Sequence, residues 1–419
     1  MTKILHIVNS NVLNGGIGTV LSYLDKGLNK RSYSSSVMKT YASEMGKFGY
    51  EALKGREFDS FTHSRKDLQD TLSEQDILHV HGVPSYRMLE ALDALRREGR
   101  CPKVVNTCHS SVKKELSAHL ERCEDANDRT EIEKMIENGM RETPARFVDT
   151  YWGSAIHRQG RVMEVADVVQ HMNGAYKDEI IAEYAARDAG KHVVVYNGVD
   201  IIPEVTARPK KKRVLYSGRF AHEKGIDEFI EALPSILTAH PDTEVKIAGG
   251  DRAGITVDKY KKKAEALFQR EFGRARSDKH LDRITFTGWV DSAKMADNYD
   301  WCDFLVVPSK DESFCLAIAE ALNHERIPIM TRTPALHELY LSHGAGIGIK
   351  PEMRNPRGIA ETVGWALDST DPELLDLIAK TGRRLVAEKY SLNKVMEEQM
   401  HVYEKLRASA ATSSRGFSN

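Results

Sequence analysis

Short apolar runs alternate with longer amphipathic stretches along nearly the whole chain. The apolar runs predict buried strands, and the stretches between them have helical periodicity. In the first half the predicted strands are Ile4–Val8, Ile77–His81, Lys103–Thr107, Val168–His171 and Val193–Tyr196. In the second half they are Val214–Ser217, Val245–Ala248, Ile284–Thr287, Phe304–Val307 and Ile327–Met330. Strands that alternate with helices are typical of doubly wound α/β domains with parallel sheets.

The chain has 419 residues, more than one ordinary core accommodates, so two domains are predicted. We place an N-terminal Rossmann-like, acceptor-binding domain at 1–202 and a C-terminal Rossmann-like, donor-binding domain at 203–390. The basic segment Pro209–Arg213 is interpreted as an exposed linker. A helix at 391–406 is expected to pack back on the body, and the tail 407–419 is expected to be disordered. The charged segment 111–146 predicts helices over the rim of the first domain.

Charge and cysteine content narrow the class of protein. A formal net charge of −1 argues against a dedicated nucleic-acid binder. The five cysteines have no CxxC spacing, which indicates reduced thiols and a cytoplasmic location. No apolar run reaches about 18 residues, so no stable membrane insertion is expected.

Two carboxylates follow the predicted strand Phe304–Val307. Glu312 lies in the turn at the carboxyl end of the strand, and Glu320 lies in the helical pattern that follows. A helix N-terminus can hold a phosphate, because its backbone N–H groups are unpaired. Carboxylates accept hydrogen bonds from sugar hydroxyls, so this segment predicts a site for both halves of a sugar nucleotide. A pair of solvated helix acids is the alternative.

Two glycine-containing turns indicate phosphate contacts. The turn Asn14–Thr19 follows the first strand, but its spacing is not GxGxxG, which disfavours a dinucleotide site and an NAD-dependent oxidoreductase. The turn Ser217–Gly225 carries Arg219 and Lys224, which we expect to converge on one anion. A plain tight turn and two surface cations are the respective alternatives. The turn at Gly249 is a weaker candidate, since glycine there could simply end a strand.

Histidines mark the ends of two predicted strands in the first half. His109 follows Lys103–Thr107 and is expected to face the cleft, where an imidazole can hydrogen-bond a sugar hydroxyl. We place His81 and His79 on opposite faces of their strand, with His81 lining the cleft and His79 packed. The histidines form no HExxH or comparable set, so no metal site is predicted.

Taken together, these residues resemble family 4 of the retaining glycosyltransferases, the group 1 glycosyl transferases. That family has the GT-B fold, two facing Rossmann-like domains with a cleft between them. The likeness extends from about Lys3 to Leu406, and Cys315 replaces the glycine usual in the family. The resemblance implies that the donor is bound by Gly16, Gly18, Arg219, Lys224, Gly249, Ser313, Phe314, Cys315, Leu316 and Glu320. It implies catalytic roles for His109, Glu312, Arg219 and Lys224.

The implied reaction moves a hexose or N-acetylhexosamine from a nucleotide sugar to an acceptor hydroxyl, with retention and without metal or other cofactor. UDP-glucose and UDP-N-acetylglucosamine are the expected donors. A polar, small and soluble acceptor is expected beside Asn14, Gly15, His81, Tyr86 and Ser110. The alternatives are a sugar-nucleotide epimerase or phosphorylase of the same fold, and a catalytically silent nucleotide-sugar binding module.

Overall fold

The computed structural model describes residues 1–9, 16–31, 33–40, 50–51, 57–58, 65–112, 114–115, 151–184, 188–250, 254–369 and 371–415. The chain divides into two compact units. The first comprises Met1–Gly198 together with Leu392–Asn419, and the second comprises Val199–Ser391.

Each unit is built on one parallel sheet. The strands of the first unit are β1 (Thr2–Asn9), β2 (Tyr33–Thr40), β3 (Tyr50–Glu51), β4 (Glu57–Phe58), β5 (Ile77–His81), β6 (Lys103–Cys108), β7 (Val168–His171) and β8 (His192–Val194). Six of them form a sheet in the order β2-β1-β5-β6-β7-β8, and β3 pairs with β4 in an antiparallel pair. The strands of the second unit are β9 (Arg213–Gly218), β10 (Glu244–Gly249), β11 (Ile284–Gly288), β12 (Phe304–Val307), β13 (Ile327–Thr331) and β14 (Ile347–Ile349). Their order is β11-β10-β9-β12-β13-β14.

Helices connect the strands of both sheets. The described ones are α1 (Gly16–Asn29), α2 (Arg65–Ser73), α3 (Tyr86–Arg97), α4 (Tyr151–Val165), α5 (Gly174–Glu183), α6 (Ile226–Ala239), α7 (Ile255–Phe272), α8 (Arg274–Leu281), α9 (Ser292–Trp301), α10 (Leu316–Asn323), α11 (Pro334–Leu339), α12 (Pro356–Asp368), α13 (Pro372–Lys389) and α14 (Leu392–Arg415). None of these described helices is both long and apolar enough to cross a membrane.

The core of the first unit follows from the alternation of side chains along its strands. Leu5 and Ile7 of β1 belong to the apolar cluster that includes Leu92 of α3. Val8 lies on the other face of the strand and packs against Leu21 of α1. His6 shares that second face, so a polar ring stands among apolar neighbours.

The core of the second unit lies between its sheet and the flanking helices. Tyr216 of β9 and Val306 of β12 pack with Phe229 of α6 in one buried cluster. Val363 of α12 belongs to the same cluster.

The predicted doubly wound α/β fold is confirmed, and each predicted strand is present. The strand predicted at Val193–Tyr196 is shorter and spans His192–Val194. The pattern missed β2 and β14, which are the edge strands of sheets in their respective units. An edge strand has one partner and tolerates polar or very short sequences, so its apolar signal is weak.

Two segments differ from the sequence-based expectation. Helix α14 continues to Arg415, so the prediction of a disordered tail is wrong for 407–415, while 416–419 lie outside the described residues. The basic segment is an ordered part of the second unit rather than a free linker. The buried carboxylate of Asp303 accepts backbone hydrogen bonds from Lys210 at 2.6 Å and Lys211 at 2.8 Å. Residues 116–146 of the charged segment lie outside the described residues.

Gly225 brings two loops of the second unit into contact. It precedes α6 with a φ of 67°, and a Cβ atom at this position would lie 2.3 Å from the carbonyl oxygen of Pro308. Any side chain would therefore combine left-handed backbone strain with a clash against backbone. The loop after β9 can approach the loop after β12 because residue 225 is glycine.

We expect Gly225→Ala to lower the free energy of unfolding by about 3 kcal/mol or more, through strain and steric overlap. Gly254 is a matched control, because it precedes α7 with a φ of 78° and its Cβ position has no described atom within 4 Å. Gly254→Ala should cost only about 1 kcal/mol. Urea unfolding followed by circular dichroism measures both, and equal losses would contradict the close approach.

Candidate active site

The candidate donor site of the second unit begins where β12 leads into α10. Phe314 is buried, and its carbonyl oxygen accepts a hydrogen bond of 3.0 Å from the hydroxyl of Tyr340. Cys315 follows in the left-handed conformation, with φ at 64°, and α10 begins at Leu316. This conformation is costly for a residue with a Cβ atom. The fixed carbonyl and the left-handed residue together determine where the helix N-terminus lies.

Lys224 and Glu312 form an ion pair in this site. The Nζ atom of Lys224 lies 2.8 Å from Oε1 of Glu312, with side-chain exposures of 20% and 10%. The hydroxyl of Ser309 donates a second hydrogen bond of 2.9 Å to the same oxygen. Burial alone would lower the pKa of Lys224, but the adjacent carboxylate outweighs it and raises that pKa above its ordinary value. Lys224 is therefore held as a cation.

Arg219 has a different partner from Lys224. Its guanidinium donates to Glu223 at 2.9 Å, and the side chain is 62% exposed. An ion pair this exposed contributes little to stability. The positive charge of Arg219 nevertheless acts to lower the pKa of Lys224, against the effect of Glu312, so the two cations interact. The predicted convergence of both residues on one anion stays a prediction.

Backbone contacts hold the loop that carries the two cations. The buried hydroxyl of Tyr216 donates to the carbonyl oxygens of Arg219 at 3.2 Å and Lys224 at 3.3 Å. The backbone N–H of Lys310 donates to the carbonyl of Glu223 at 2.7 Å. The loops after β9 and β12 are therefore connected by backbone and side-chain contacts.

Lys310 is a cation of this site that the sequence analysis did not select. Its Nζ atom contacts His222 and lies 3.5 Å from Glu228. Lys310 could have been identified from its position two residues before Glu312, in a turn that was already a candidate. Ser313, one of the predicted donor-binding residues, lies in the same turn.

Glu320 lies one turn into α10 and has its own partner. The hydroxyl of Tyr299 donates to its carboxylate at 2.7 Å. Burial raises the pKa of Glu320 above its ordinary value, and this hydrogen bond opposes the shift only in part. The same tyrosine interacts with Ser217 at the carboxyl end of β9. Glu320 is thereby tied to the end of the central strand.

Gly249 has a packing role that explains the glycine. A Cβ atom at this position would lie 1.8 Å from the carbonyl oxygen of Gly218. The ends of β10 and β9 therefore approach more closely than a side chain permits. Contact between Gly249 and a donor stays a prediction.

The candidate residues of the first unit centre on a cluster of histidines. Nδ1 of His6 lies 3.0 Å from Nε2 of His81, and Nδ1 of His81 lies 3.2 Å from Nε2 of His109. The rings of His79 and His81 stack with centroids 4.1 Å apart. The placement of His79 and His81 on opposite faces was wrong, because residues two apart on a strand share a face.

The cluster also contains the described residues best placed to hold a metal. Ring nitrogens of His6, His79 and His81 lie within 4.8 Å of one another. Both nitrogens of His79 are already hydrogen-bonded, to the hydroxyl of Tyr403 at 2.7 Å and to that of Thr107 at 2.6 Å. A metal at this position would have to displace one of those partners.

A small cavity of about 20 Å³ adjoins this cluster. Its polar lining includes His79, His81, His109, Gln170 and Gln399. His6, Gln170 and Gln399 were not among the candidates predicted from the sequence. For His6, the available signal was a histidine within the otherwise apolar run of β1.

The other predicted acceptor residues of the first unit are less closely associated. The hydroxyl of Tyr86 lies 3.2 Å from Nδ1 of His157, and the carbonyl of Ser110 accepts from Gln159 at 2.7 Å. Gly16 and Gly18 lie in the first turn of α1. Asn14 and Gly15 lie outside the described residues.

Residues 199–385 match the protein family described as Glycosyl transferases group 1. The matched residues cover most of the second unit and include Lys224, Glu312 and Glu320. The second unit is therefore similar to the group 1 glycosyl transferases, while family 4 and a retaining mechanism stay predictions.

Curated relatives resemble the chain over about half of its length. Glycogen synthase from Mycobacterium tuberculosis is 26% identical over 234 residues, which are 55% of this chain and 52% of the synthase. Alpha-D-kanosaminyltransferase from Streptomyces kanamyceticus is 28% identical over 193 residues, 46% of this chain and 45% of that enzyme. The chain thus spans about half the length of these curated relatives.

Solved structures resemble the chain over nearly its full length. Sucrose-phosphate synthase from Thermosynechococcus elongatus has a TM-score of 0.67 at 18% identity, covering 98% of this chain and 100% of the synthase. HepE from Anabaena, solved with UDP and glucose, has a TM-score of 0.63 at 15% identity, covering 96% and 100%. The predicted GT-B fold class, with two Rossmann-like units, is confirmed.

The raised pKa of Glu320 has a consequence for stability. A carboxyl whose pKa is raised in the folded state favours folding when protonated, and this contribution is lost as the pH rises through the folded pKa. Glutamine does not ionise and can still accept from Tyr299. We therefore expect Glu320→Gln to be more stable than the parent protein at pH 7, with the difference vanishing at acidic pH.

Glu312→Gln is the comparison variant, since it removes the partner of Lys224 and should lower stability at pH 7. Urea unfolding at several pH values checks both variants. A Glu320→Gln protein that is less stable than the parent at pH 7 would contradict the burial effect.

Proposed function

We propose that this protein is a retaining glycosyltransferase that moves a hexose or N-acetylhexosamine from a UDP-sugar to a hydroxyl of a polar acceptor, without a metal. The observation that carries the proposal is the Lys224–Glu312 pair beside the N-terminus of α10, within a group 1 domain. This arrangement offers a cation, a carboxylate and helix N–H groups at one place, and a sugar diphosphate needs all three.

In this proposal Lys224 and Arg219 bind the donor diphosphate. Glu312 keeps Lys224 protonated before the donor arrives, because the carboxylate raises the lysine pKa. When the diphosphate takes over the lysine charge, the Glu312 oxygens become available to hydroxyls of the transferred sugar. Lys224 thus forms a preformed anion site in which the donor diphosphate replaces the Glu312 carboxylate.

Glu320 is assigned to the hydroxyls of the nucleotide ribose. A partly buried carboxylate that already accepts from Tyr299 has further lone pairs for ribose. The choice of UDP with glucose or N-acetylglucosamine is supported by the nucleotide and sugar named for HepE, and by a related structure solved with UDP and an N-acetylglucosamine glycerol compound.

The proposed mechanism stabilises the leaving group. The cations and the N-terminus of α10 offset the charge that develops on the departing diphosphate. A diphosphate oxygen takes the proton of the incoming hydroxyl, which attacks on the face that the leaving group vacates. His109 is assigned to a hydrogen bond with a sugar hydroxyl. Gly16 and Gly18 keep the donor role, and Asn14, Gly15, Tyr86 and Ser110 the acceptor role, proposed from the sequence. His81 is buried and both of its ring nitrogens contact other histidines, so we do not assign it to the acceptor.

The cation assignment predicts that Lys224→Ala and Arg219→Ala each weaken UDP binding. Losing a charge-assisted hydrogen bond costs about 1.5–3 kcal/mol, which is on the order of tenfold or more in affinity. Arg357→Ala is the matched control, because Arg357 forms an exposed pair with Glu361, four residues further on, as Arg219 does with Glu223. Calorimetry with UDP measures all three. Unchanged affinity in both test variants would remove them from the diphosphate site.

The reaction itself is tested by incubating the protein with several UDP-sugars and pools of acceptors, followed by mass spectrometry. We expect transfer that persists in EDTA, and NMR of the product should show the donor's anomeric configuration retained. Glu312→Gln should abolish most turnover while UDP affinity stays unchanged or tightens, because Lys224 loses a competing anion. An inverted product, a strict metal requirement, or donor conversion without acceptor would overturn the proposed reaction.

A further inference from the structure

Three histidines from neighbouring strands form a continuous hydrogen-bonded chain in the first unit. His6 belongs to β1, His81 ends β5, and His109 follows β6. The two links are 3.0 Å between His6 and His81 and 3.2 Å between His81 and His109. Each link joins Nδ1 of one ring to Nε2 of the next, so the chain has a direction.

The three rings are neutral at neutral pH. Burial lowers the pKa of His6 and of His109 to about 4. Burial and the neighbouring histidines lower the pKa of His81 well below its ordinary value. A neutral imidazole has one N–H donor and one lone pair, so one ring in each link must donate and the other must accept.

His6, at one end of the hydrogen-bonded row of histidines, determines which ring donates in each link. Nε2 of His6 is buried and has no hydrogen-bond partner among the described residues. A buried N–H without an acceptor is rarer than an unpaired acceptor atom. The proton of His6 therefore belongs on Nδ1, where it is donated to His81.

The direction then propagates along the chain. His81 accepts at Nε2, so its own proton lies on Nδ1 and is donated to His109. His109 accepts at Nε2, and its proton lies on Nδ1. The lone pair of His109 is thereby occupied, and its N–H lies on the opposite edge of a ring that is half-buried.

We propose that His6 and His81 are positioning residues that fix His109 as its Nδ1-protonated tautomer, so that His109 acts on a sugar substrate as a hydrogen-bond donor and not as a base. The substrate contact of His109 rests on the proposed glycosyltransferase function, whereas the tautomer does not. A His109 that cannot accept a proton leaves the leaving diphosphate as the acceptor for the proton of the attacking hydroxyl.

His79, the fourth histidine of the cluster, is not part of the hydrogen-bonded row but packs against it. The hydroxyl of Thr107 donates to Gln170 at 2.9 Å, so it accepts from Nε2–H of His79. Tyr403 then donates to Nδ1 of His79. Both nitrogens of His79 are committed, and its ring stacks on His81, which fixes the plane of the middle ring.

The direct test is long-range proton–nitrogen NMR of the full-length protein labelled with ¹⁵N-histidine, with each signal assigned by substitution. The parent protein should show Nδ1–H for His109 and His81, and Nε2–H for His79. Nε2–H on His109 would overturn the proposal. A joint shift of His6, His79 and His81 on adding one equivalent of Zn²⁺ would also overturn it, since the cluster would then be a metal site.

Variants of His6 test the coupling along the chain. His6→Leu removes the donor, so His109 should shift towards Nε2–H, while His6→Asn restores an amide N–H near the Nδ1 position and should preserve the parent tautomer. Tyr403→Phe is the matched control, because it removes a hydrogen bond within the cluster but outside the chain. If His6→Leu does not fold, the parent spectrum and His6→Asn still decide the assignment. An unchanged His109 signal in folded His6→Leu would contradict the coupling.

Kinetics separate the two proposals. In an active transferase, His6→Leu should lower kcat about tenfold with the donor KM little changed, and His6→Asn should recover most of the loss. The effect should disappear when His109 is already alanine, as expected for residues that act through one another. Expected tautomers without transferase activity would refute the proposed function alone. A loss in His6→Leu that persists in the His109→Ala background would refute the positioning role alone.

Discussion

The ion pair between Lys224 and Glu312 is the interaction on which the second unit's site depends. Strands β9 and β12 are neighbours in the sheet, so the loops at their carboxyl ends lie side by side. The pair joins these loops at 2.8 Å with little exposure of either side chain. Removing either partner leaves a largely buried charge uncompensated, which costs more than the pair itself contributes. Lys224 therefore needs either the Glu312 carboxylate or another anion in its place.

Backbone conformation allows the ion pair to form. Gly225 approaches Pro308, and Gly249 approaches Gly218, at distances that exclude a side chain. Cys315 has a left-handed conformation without being glycine, so the start of α10 carries strain. Burial raises the pKa of its thiol well above the ordinary value, which keeps it neutral and unreactive. The replacement of glycine by cysteine thus adds volume beside the pair without adding charge.

The sequence predicted the elements that depend on local composition and missed those that depend on distant partners. Apolar runs identified the central strands, whereas the polar edge strand Tyr33–Thr40 had no such signal. Lys224 and Glu312 were both selected as donor residues, but their pairing joins loops far apart in the chain. Asp303 anchors the basic segment through backbone N–H groups, which composition does not reveal. The misplacement of His79 was an error of strand periodicity.

The two units differ in how they offer polar groups to a substrate. The site of the second unit contains charged groups: Lys224 is held protonated, and Glu320 is a carboxylate whose pKa burial raises. The histidine cluster of the first unit is neutral, because burial lowers the pKa of His109 to about 4. A chain of neutral rings orients donors without introducing a charge that would need compensation. Acidification therefore affects first the carboxylate whose pKa is raised, while the histidines keep their hydrogen-bond directions until the pH is lower.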